Sequence, residues 1–362
     1  MGYGGISSTE MSSNHVLCTY MTNFSKQSDD LTSTETDFDR DLTSTKGEGI
    51  WLEHGFTALV WVMGLATAGI LFWMSWVIYK DAQPAVQEFG LNFLWSQTWN
   101  VGQEKFGALP FIYGTLVSSA IALILAVPTG LAVAIITSED FIPAWVRSPL
   151  GFLVELIAAI PSVIVGLWGI FVLIPFLLPF QQWLFDTFKW IPLFNSEPFG
   201  PGMLTAGIVL SIMILPTVAA ISREVLLVIP KELRSASMSL GATRWETIWN
   251  VLLPSASSGI LGAVILALGR ALGETMAVTM VIGNSIQISP SLLAPGYTIP
   301  SLLANQFAEA IDKLHIGALM YLALVLFTLT LVVNMIAVLM VQLIAGNGMK
   351  NILRPLSLAK GE

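Results

Sequence analysis

Charge is what this chain has least of. Charged side chains make up 11% of its 362 residues, where a soluble domain carries about a quarter. Cysteine is nearly absent too: the single Cys18 excludes an intrachain disulfide and reads as an idle thiol in a polar stretch. Histidine occurs only at His15, His54 and His315, too scattered for ligand spacing, so no metal and no other cofactor is expected. The pattern G-x-x-x-x-G-K-[ST] does not occur, so the chain brings no ATP-binding loop of its own. A net charge of −8 excludes a basic nucleic-acid surface. The start lacks a basic region followed by an apolar core, so no cleaved signal peptide is expected.

What fills the chain instead is apolar. Hydrophobic residues make up 54%, and the mean hydropathy is +0.74. This places most of the chain in a bilayer, with membrane lipid as its first partner. Residues 1–49 are the exception, with eight acidic side chains against Lys26, Arg40 and Lys46. Such a segment cannot bury enough surface to offset its ordering entropy and reads as a disordered acidic tail. Residues 346–362 read as a second, short tail. Between them, apolar runs at 56–78, 109–136, 150–178, 203–221, 260–282 and 316–344 each approach the ~20 residues of a membrane-spanning helix. Pro161 in the third run removes a backbone donor and is expected to kink or break that helix. The sequence therefore predicts an all-α integral membrane protein with a six-helix domain at 50–345.

Lys and Arg set the orientation. With both termini cytoplasmic, the inside segments hold eleven basic residues and the outside loops four, Lys80, Lys105, Lys189 and Lys313. That puts the polar loop 222–255 in the cytoplasm. The outer stretches 81–108 and 181–200, rich in Trp, Phe and Pro, read as interfacial belts or short surface helices. Residues 284–314 read as an irregular loop with an amphipathic turn near Phe307. The bland role of these outer segments is anchoring. The functional one is a docking surface for a partner outside the membrane.

Two places carry unusual chemistry. From Pro230, Leu233, Ala236 and Leu240 recur at helical spacing, and Gly241 permits a sharp turn. A second short helix from Thr243 is expected to put Trp245, Ile248, Trp249 and Leu252 on one side, with Pro254 closing it. Two short amphipathic helices joined at a glycine make a knob for a partner's groove. Further on, Arg270 and Glu274 are four apart in an apolar run, which on a continuous helix puts them on one face. A charge near mid-bilayer costs at least about 2.5 kcal/mol, so such residues mark a pathway by default. Arg270 offers a planar donor fork to a tetrahedral oxyanion. Glu274 either holds that guanidinium when no anion is present or accepts a proton-bearing oxygen. The third charge, Glu155, lies near the entry of the third run and pairs with Arg270, with Arg147 or with neither. Gly259, Ala263, Ala267 and Ala271 form a small-residue ridge suited to close packing within the subunit, with a subunit interface as the further claim.

The knob resembles the cytoplasmic loop of ABC importer membrane subunits. Ser235-Ala236-Ser237, three residues, Gly241, nine residues and Val251-Leu252-Leu253-Pro254 match that loop's E-A-A, Gly, I-x-L-P pattern, departing at Ser235 and Ser237. Gly269-Arg270-Ala271-Leu272-Gly273-Glu274-Thr275-Met276-Ala277-Val278 and Glu155-Leu156-Ile157-Ala158-Ala159-Ile160-Pro161-Ser162 are similar to motifs of the phosphate-importer permeases within that family. The resemblance covers roughly residues 55–345. It implies a type I ABC importer permease fold in a bacterial inner membrane. It also implies no catalysis by this chain, and coupling to ATP hydrolysis through Ser235, Ala236, Ser237, Gly241, Val251, Leu253 and Pro254. The implied partners are a second permease subunit, an ATPase dimer that binds the ATP, and a periplasmic phosphate-binding protein. The residues alone leave alternatives: a permease for molybdate or sulfate, or a stand-alone channel or proton-coupled carrier relaying through Glu155, Arg270 and Glu274. An intramembrane hydrolase is disfavoured, since no Ser–His or paired-Asp arrangement sits within the apolar runs.

Overall fold

The computed structural model describes residues 49–139 and 141–358. The acidic tail expected at 1–49 lies outside them but for Gly49. The helices are α1 (Gly49–Phe89), α2 (Asn92–Trp95), α3 (Leu109–Ser138), α4 (Ala144–Ala158), α5 (Ser162–Trp168), α6 (Ile174–Phe188), α7 (Met203–Val228), α8 (Lys231–Ser239), α9 (Arg244–Thr247), α10 (Leu253–Gly273), α11 (Met276–Val281), α12 (Ile299–Gln306) and α13 (Lys313–Leu358). Among the described residues the only β-pairing is an isolated bridge between Asn100 and Lys105. The chain divides into two units, Met1–Trp73 and Met74–Glu362, with the boundary inside α1. In the first, the described side chains of α1 are exposed. The second holds the buried clusters, the knob and Arg270.

Six helical stretches are long and apolar enough to cross a membrane: His54–Phe89, Leu109–Ser138, Ser162–Phe188, Met203–Val228, Arg244–Gly273 and Lys313–Leu339. The number agrees with the sequence; the third and fifth spans differ at both ends, and the first runs on to Phe89 through part of the stretch read as an outer segment. The third apolar run covers 150–178, and Pro161 does break it. α4 ends at Ala158, and Pro161 caps the next helix with φ −57° and ψ 136°. The 15 residues of α4 reach only about 22 Å at 1.5 Å per residue, short of a bilayer. The span therefore starts at Ser162 and extends to Phe188, taking in residues assigned to an outer loop.

The fifth run differs at both ends. Pro254 was expected to close the knob, yet α9, a π turn at Ile248–Leu252 and α10 form one continuous helical stretch. The other π turn, Gly169–Leu173, likewise stands just before a proline, Pro175. A proline ring collides with the carbonyl four residues back and lacks an N–H. A π turn widens the coil where the ladder is already interrupted, so the helix continues. At its far end the fifth span stops at Gly273. Glu274 is extended, at φ −68° and ψ 126°, and the helix resumes only as α11.

Three buried clusters succeed one another along α3. Phe111 belongs to the first, with Phe93, Trp99, Phe106, Tyr297, Ile299 and Tyr321. Ala122 and Ala126 belong to the middle one, with α7, α10 and α11. Ala134 and Ile135 belong to the last, with Leu226, Ile229, Ile248, Leu252 and Ala256. In 81–108 the structure has the short-helix alternative, at α2, while Phe93 and Phe106, 1% and 3% exposed, fill a buried layer instead of a lipid belt. Phe93 stacks on Tyr321 at 4.4 Å between ring centroids. In 181–200, Trp183, Trp190 and Phe199 are exposed as a belt requires. The loop at 284–314 contains α12, buried at Ile299, Pro300 and Leu302, and its Ile299 N–H donates to Thr115 Oγ1 at 3.0 Å. At the other end, α13 carries helix to Leu358 through most of the stretch read as a tail.

The most extensive helix contact is between α3 and α7, and it depends on small residues. A Cβ added at Gly207 meets Ile121 Cγ2 at 2.5 Å, and a β-branched side chain on a helix has no other comfortable rotamer. Gly207→Ala is expected to destabilise the folded chain by about 1–3 kcal/mol through overpacking. Gly151→Ala, where a Cβ meets nothing within 4 Å, is expected to be neutral or stabilising by helix propensity. Thermal unfolding in detergent distinguishes them; equal midpoints for the two variants contradict the packing account.

Candidate functional site

The knob forms from the residues that suggest it, with one rearrangement. α8 begins after Pro230, whose ψ of 137° keeps it outside the helix. It ends at Leu240, and the chain reverses at Gly241 in a left-handed conformation, φ +88°. Thr243 then caps α9 in a full capping box: Glu246 N–H donates to Thr243 Oγ1, and Thr243 N–H donates to Glu246 Oε2 at 2.7 Å. Ser237 Oγ and Thr247 Oγ1 bond at 2.9 Å between the two short helices. Ser235 turns its hydroxyl back to Glu232 O at 3.0 Å, and Ala236 is exposed beside it. Leu253 packs against the third cluster, Val251 is half-buried and Pro254 exposed.

The expected shared side of Trp245, Ile248, Trp249 and Leu252 does not hold. Ile248 and Leu252 are 2% and 1% exposed and anchor the knob inward, whereas Trp245 and Trp249 are 57% and 53% exposed. The rings of the two tryptophans pack edge to face at 5.8 Å. Leu240 at the tip is 90% exposed and Met238 beside it 47%. The two i,i+4 pairs form neighbouring ridges of the coil, and only the ridge of Ile248 and Leu252 meets the third cluster. The knob thus shows an apolar tip beyond a buried root.

The root carries a contact that sequence reading missed. Arg234, which enters the sequence reading only as a topology charge, donates from Nε and Nη2 to Glu139 Oε1 at 3.1 and 2.9 Å.

Arg270 and Glu274 sit at the break between α10 and α11. The prediction that they share a helix face is overturned, because the helix ends at Gly273 and Glu274 N–H reaches only Ala271 O, at 3.4 Å. Among the described residues no ion pair joins them. Arg270 is exposed in the single chain and lines a cavity of about 280 Å³ with Ile160, Ile164, Trp168, Ile212 and Met213. It is the one charged side chain on that wall. Leu266, one turn earlier, is 61% exposed on the same side. On the adjoining side of α10, Ala263, Ala267 and Ala271 are buried, and Gly259 approaches Val225. The small-residue ridge therefore packs inside this subunit and is not available as an interface between subunits.

Glu155 lies on α4, outside the third span, and shares a small cleft with Arg223 and Glu224. Arg223 Nη1 is 3.5 Å from Glu224 Oε1. Glu155 and Arg270 thus line different cavities.

Gly241 has open space around it, so a side chain there is opposed by backbone strain alone. Gly241→Val is expected to cost about 1–2 kcal/mol locally, and Gly241→Asn much less. Tryptic cleavage at Lys231, Arg234 and Arg244 is the readout. Faster cleavage in the valine variant with near-native rates for asparagine is expected; identical rates contradict the turn assignment.

The sequence pattern of the family described as "Binding-protein-dependent transport system inner membrane component" matches residues 126–346. The phosphate transport system permease protein PstC of Xylella fastidiosa is 42% identical over 312 residues, covering 85% of this chain and 94% of that protein. The same-named protein of Mesorhizobium japonicum is 46% identical, covering 72% and 81%. A probable PstC of Methanocaldococcus jannaschii is 39% identical, covering 72% and 84%. A chain of the bacterial ABC transporter involved in the import of the acidic polysaccharide alginate superposes with a TM-score of 0.49 at 18% identity, over 80% of this chain and 98% of that one. By identity and coverage against the three PstC proteins, the chain belongs to the PstC family of permease proteins, multi-pass inner-membrane components of binding-protein-dependent transport.

Proposed function

We propose that this chain is the membrane-spanning permease subunit of an ATP-driven inorganic phosphate importer. It contributes half of the translocation pathway and performs no covalent chemistry. The observation that carries the reading is the continuous helical stretch Arg244–Gly273, which starts in the knob and ends one turn beyond Arg270. At 1.5 Å per residue, its 30 residues span about 45 Å. A push on the knob therefore arrives at the cavity as a movement of Arg270.

The apolar tip of Leu240, Trp245 and Trp249 seats in a separate ATPase dimer, which binds the ATP. Its closure moves the knob and switches the helices between inward-open and outward-open arrangements. Both termini and the 222–255 loop face the cytoplasm, as the Lys and Arg distribution requires. A second, different permease subunit completes the pathway opposite Arg270, and a periplasmic phosphate-binding protein delivers the anion. The names of the relatives favour phosphate over molybdate or sulfate. Arg270 offers the anion its donor fork. The break after Gly273 leaves Glu274 free of the helix to accept a phosphate hydroxyl, which sulfate lacks.

Arg270→Gln is expected to lower phosphate uptake about 10- to 100-fold, from the roughly 1.5–3 kcal/mol of a charge-assisted hydrogen bond, with the complex still assembled. Arg270→Lys keeps little activity, because an ammonium lacks the fork. The double variant Arg270→Gln, Glu274→Gln assembles and shows no more uptake than Arg270→Gln alone. Uptake recovered in that double variant reduces the pair to mutual neutralisation and contradicts the substrate role.

A further inference from the structure

Arg234 commits all three guanidinium nitrogens to the scaffold. Besides the two bonds to Glu139, Nη1 donates to Ile229 O and Nη2 to Leu226 O, each at 2.8 Å. Both members of the ion pair are 17% exposed. Glu139 is the residue on which α3 ends, Leu226 lies in the last turn of α7, and Ile229 caps α7. One cation in the first turn of α8 thus bonds the C-terminal ends of two long helices. Unsatisfied carbonyls and the helix dipole concentrate negative charge at such ends. A single capped helix end needs no carboxylate from a neighbour. The bond to Glu139 crosses between elements, and it joins the knob to the α3–α7 pair. α7 in turn supplies Ile212 and Met213 to the wall of the cavity that Arg270 lines.

We propose that Arg234 and Glu139 form a positioning latch that carries the knob's movement to α3 and α7. The inference rests on the knob as the ATPase-coupling surface. The knob then acts on the cavity from two sides at once: through α10 it moves Arg270, and through the latch it moves the α7 wall. Without the latch, α8 shifts against the scaffold, the ATPase still cycles, and the cavity wall is left behind. Arg234 touches no substrate in this scheme.

The test uses the whole transporter reconstituted in liposomes, with ATP hydrolysis and phosphate uptake measured on the same sample. Arg234→Met alone strands the Glu139 carboxylate between two helix ends and is a poor probe if it lowers folding yield. Arg234→Met with Glu139→Gln removes that charge and keeps the question open. The double variant is expected to assemble and hydrolyse ATP near the wild-type rate, while phosphate moved per ATP falls about fivefold or more. Arg234→Lys with native Glu139 lies between, since charge is kept and the fork is lost. A wild-type ratio in the double variant overturns the latch and leaves the pair a structural cap. A second variant, Leu240→Ser with Trp245→Ser and Trp249→Ser, tests the underlying reading separately. If the ATPase co-purifies with it undiminished, the coupling surface itself is misassigned, whatever the latch does.

Discussion

The structure depends on one helix not stopping where its sequence offers a reason to stop. Pro254 stands between the polar knob and the fifth span, and a proline inside a helix ordinarily costs about 3 kcal/mol. The π turn at Ile248–Leu252 takes up that defect, so knob and span remain one body. Its root is fixed by Ile248 and Leu252 in the third cluster, and its middle by Ala263, Ala267 and Ala271 against the bundle. What stays exposed is what a partner can act on: Leu240, Trp245 and Trp249 at one end, Leu266 and Arg270 near the other.

The ends of the helices are as consequential as their continuity. In hydrocarbon an unsatisfied backbone group is costly, and broken helices persist only where they border protein or a cavity. Breaks occur at Pro161 and after Gly273. Ile160 before the first and Arg270 before the second line the same cavity. Interrupted helices flanking an intramembrane site are a recurring arrangement in transporters. At the opposite end, the carbonyls of α7 and the end of α3 converge on Arg234.

Much of this was legible in the sequence because it depends on local composition. The number of spans comes from apolar length, the break from Pro161, and the turn from Gly241, whose positive φ few other residues adopt. The ridge at Gly259, Ala263, Ala267 and Ala271 was readable as close packing, but not its partner, since spacing does not say which helix approaches. What failed were inferences that assumed an ideal coil. A period of 3.6 puts Trp245 near Ile248 and Arg270 with Glu274; the core takes only one of two neighbouring ridges in the first case, and one unwound residue undoes the second. The burial of Phe93 and Phe106 depends on Tyr321 and His315, whose rings stack on them from more than 200 residues away in sequence, beyond any local pattern. The Arg234–Glu139 pair was invisible for the same reason.

The central claim is that nucleotide acting on the knob changes the surroundings of Arg270. Leu266, one turn before it and exposed, reports on this directly. With Cys18→Ser and Leu266→Cys, the labelling rate by a small thiol reagent is measured on the assembled transporter, with and without trapped nucleotide. The account expects the rate to change on trapping and the change to vanish when the apolar tip of the knob is replaced by serines. A rate indifferent to nucleotide, in a complex that is hydrolysing ATP, contradicts it.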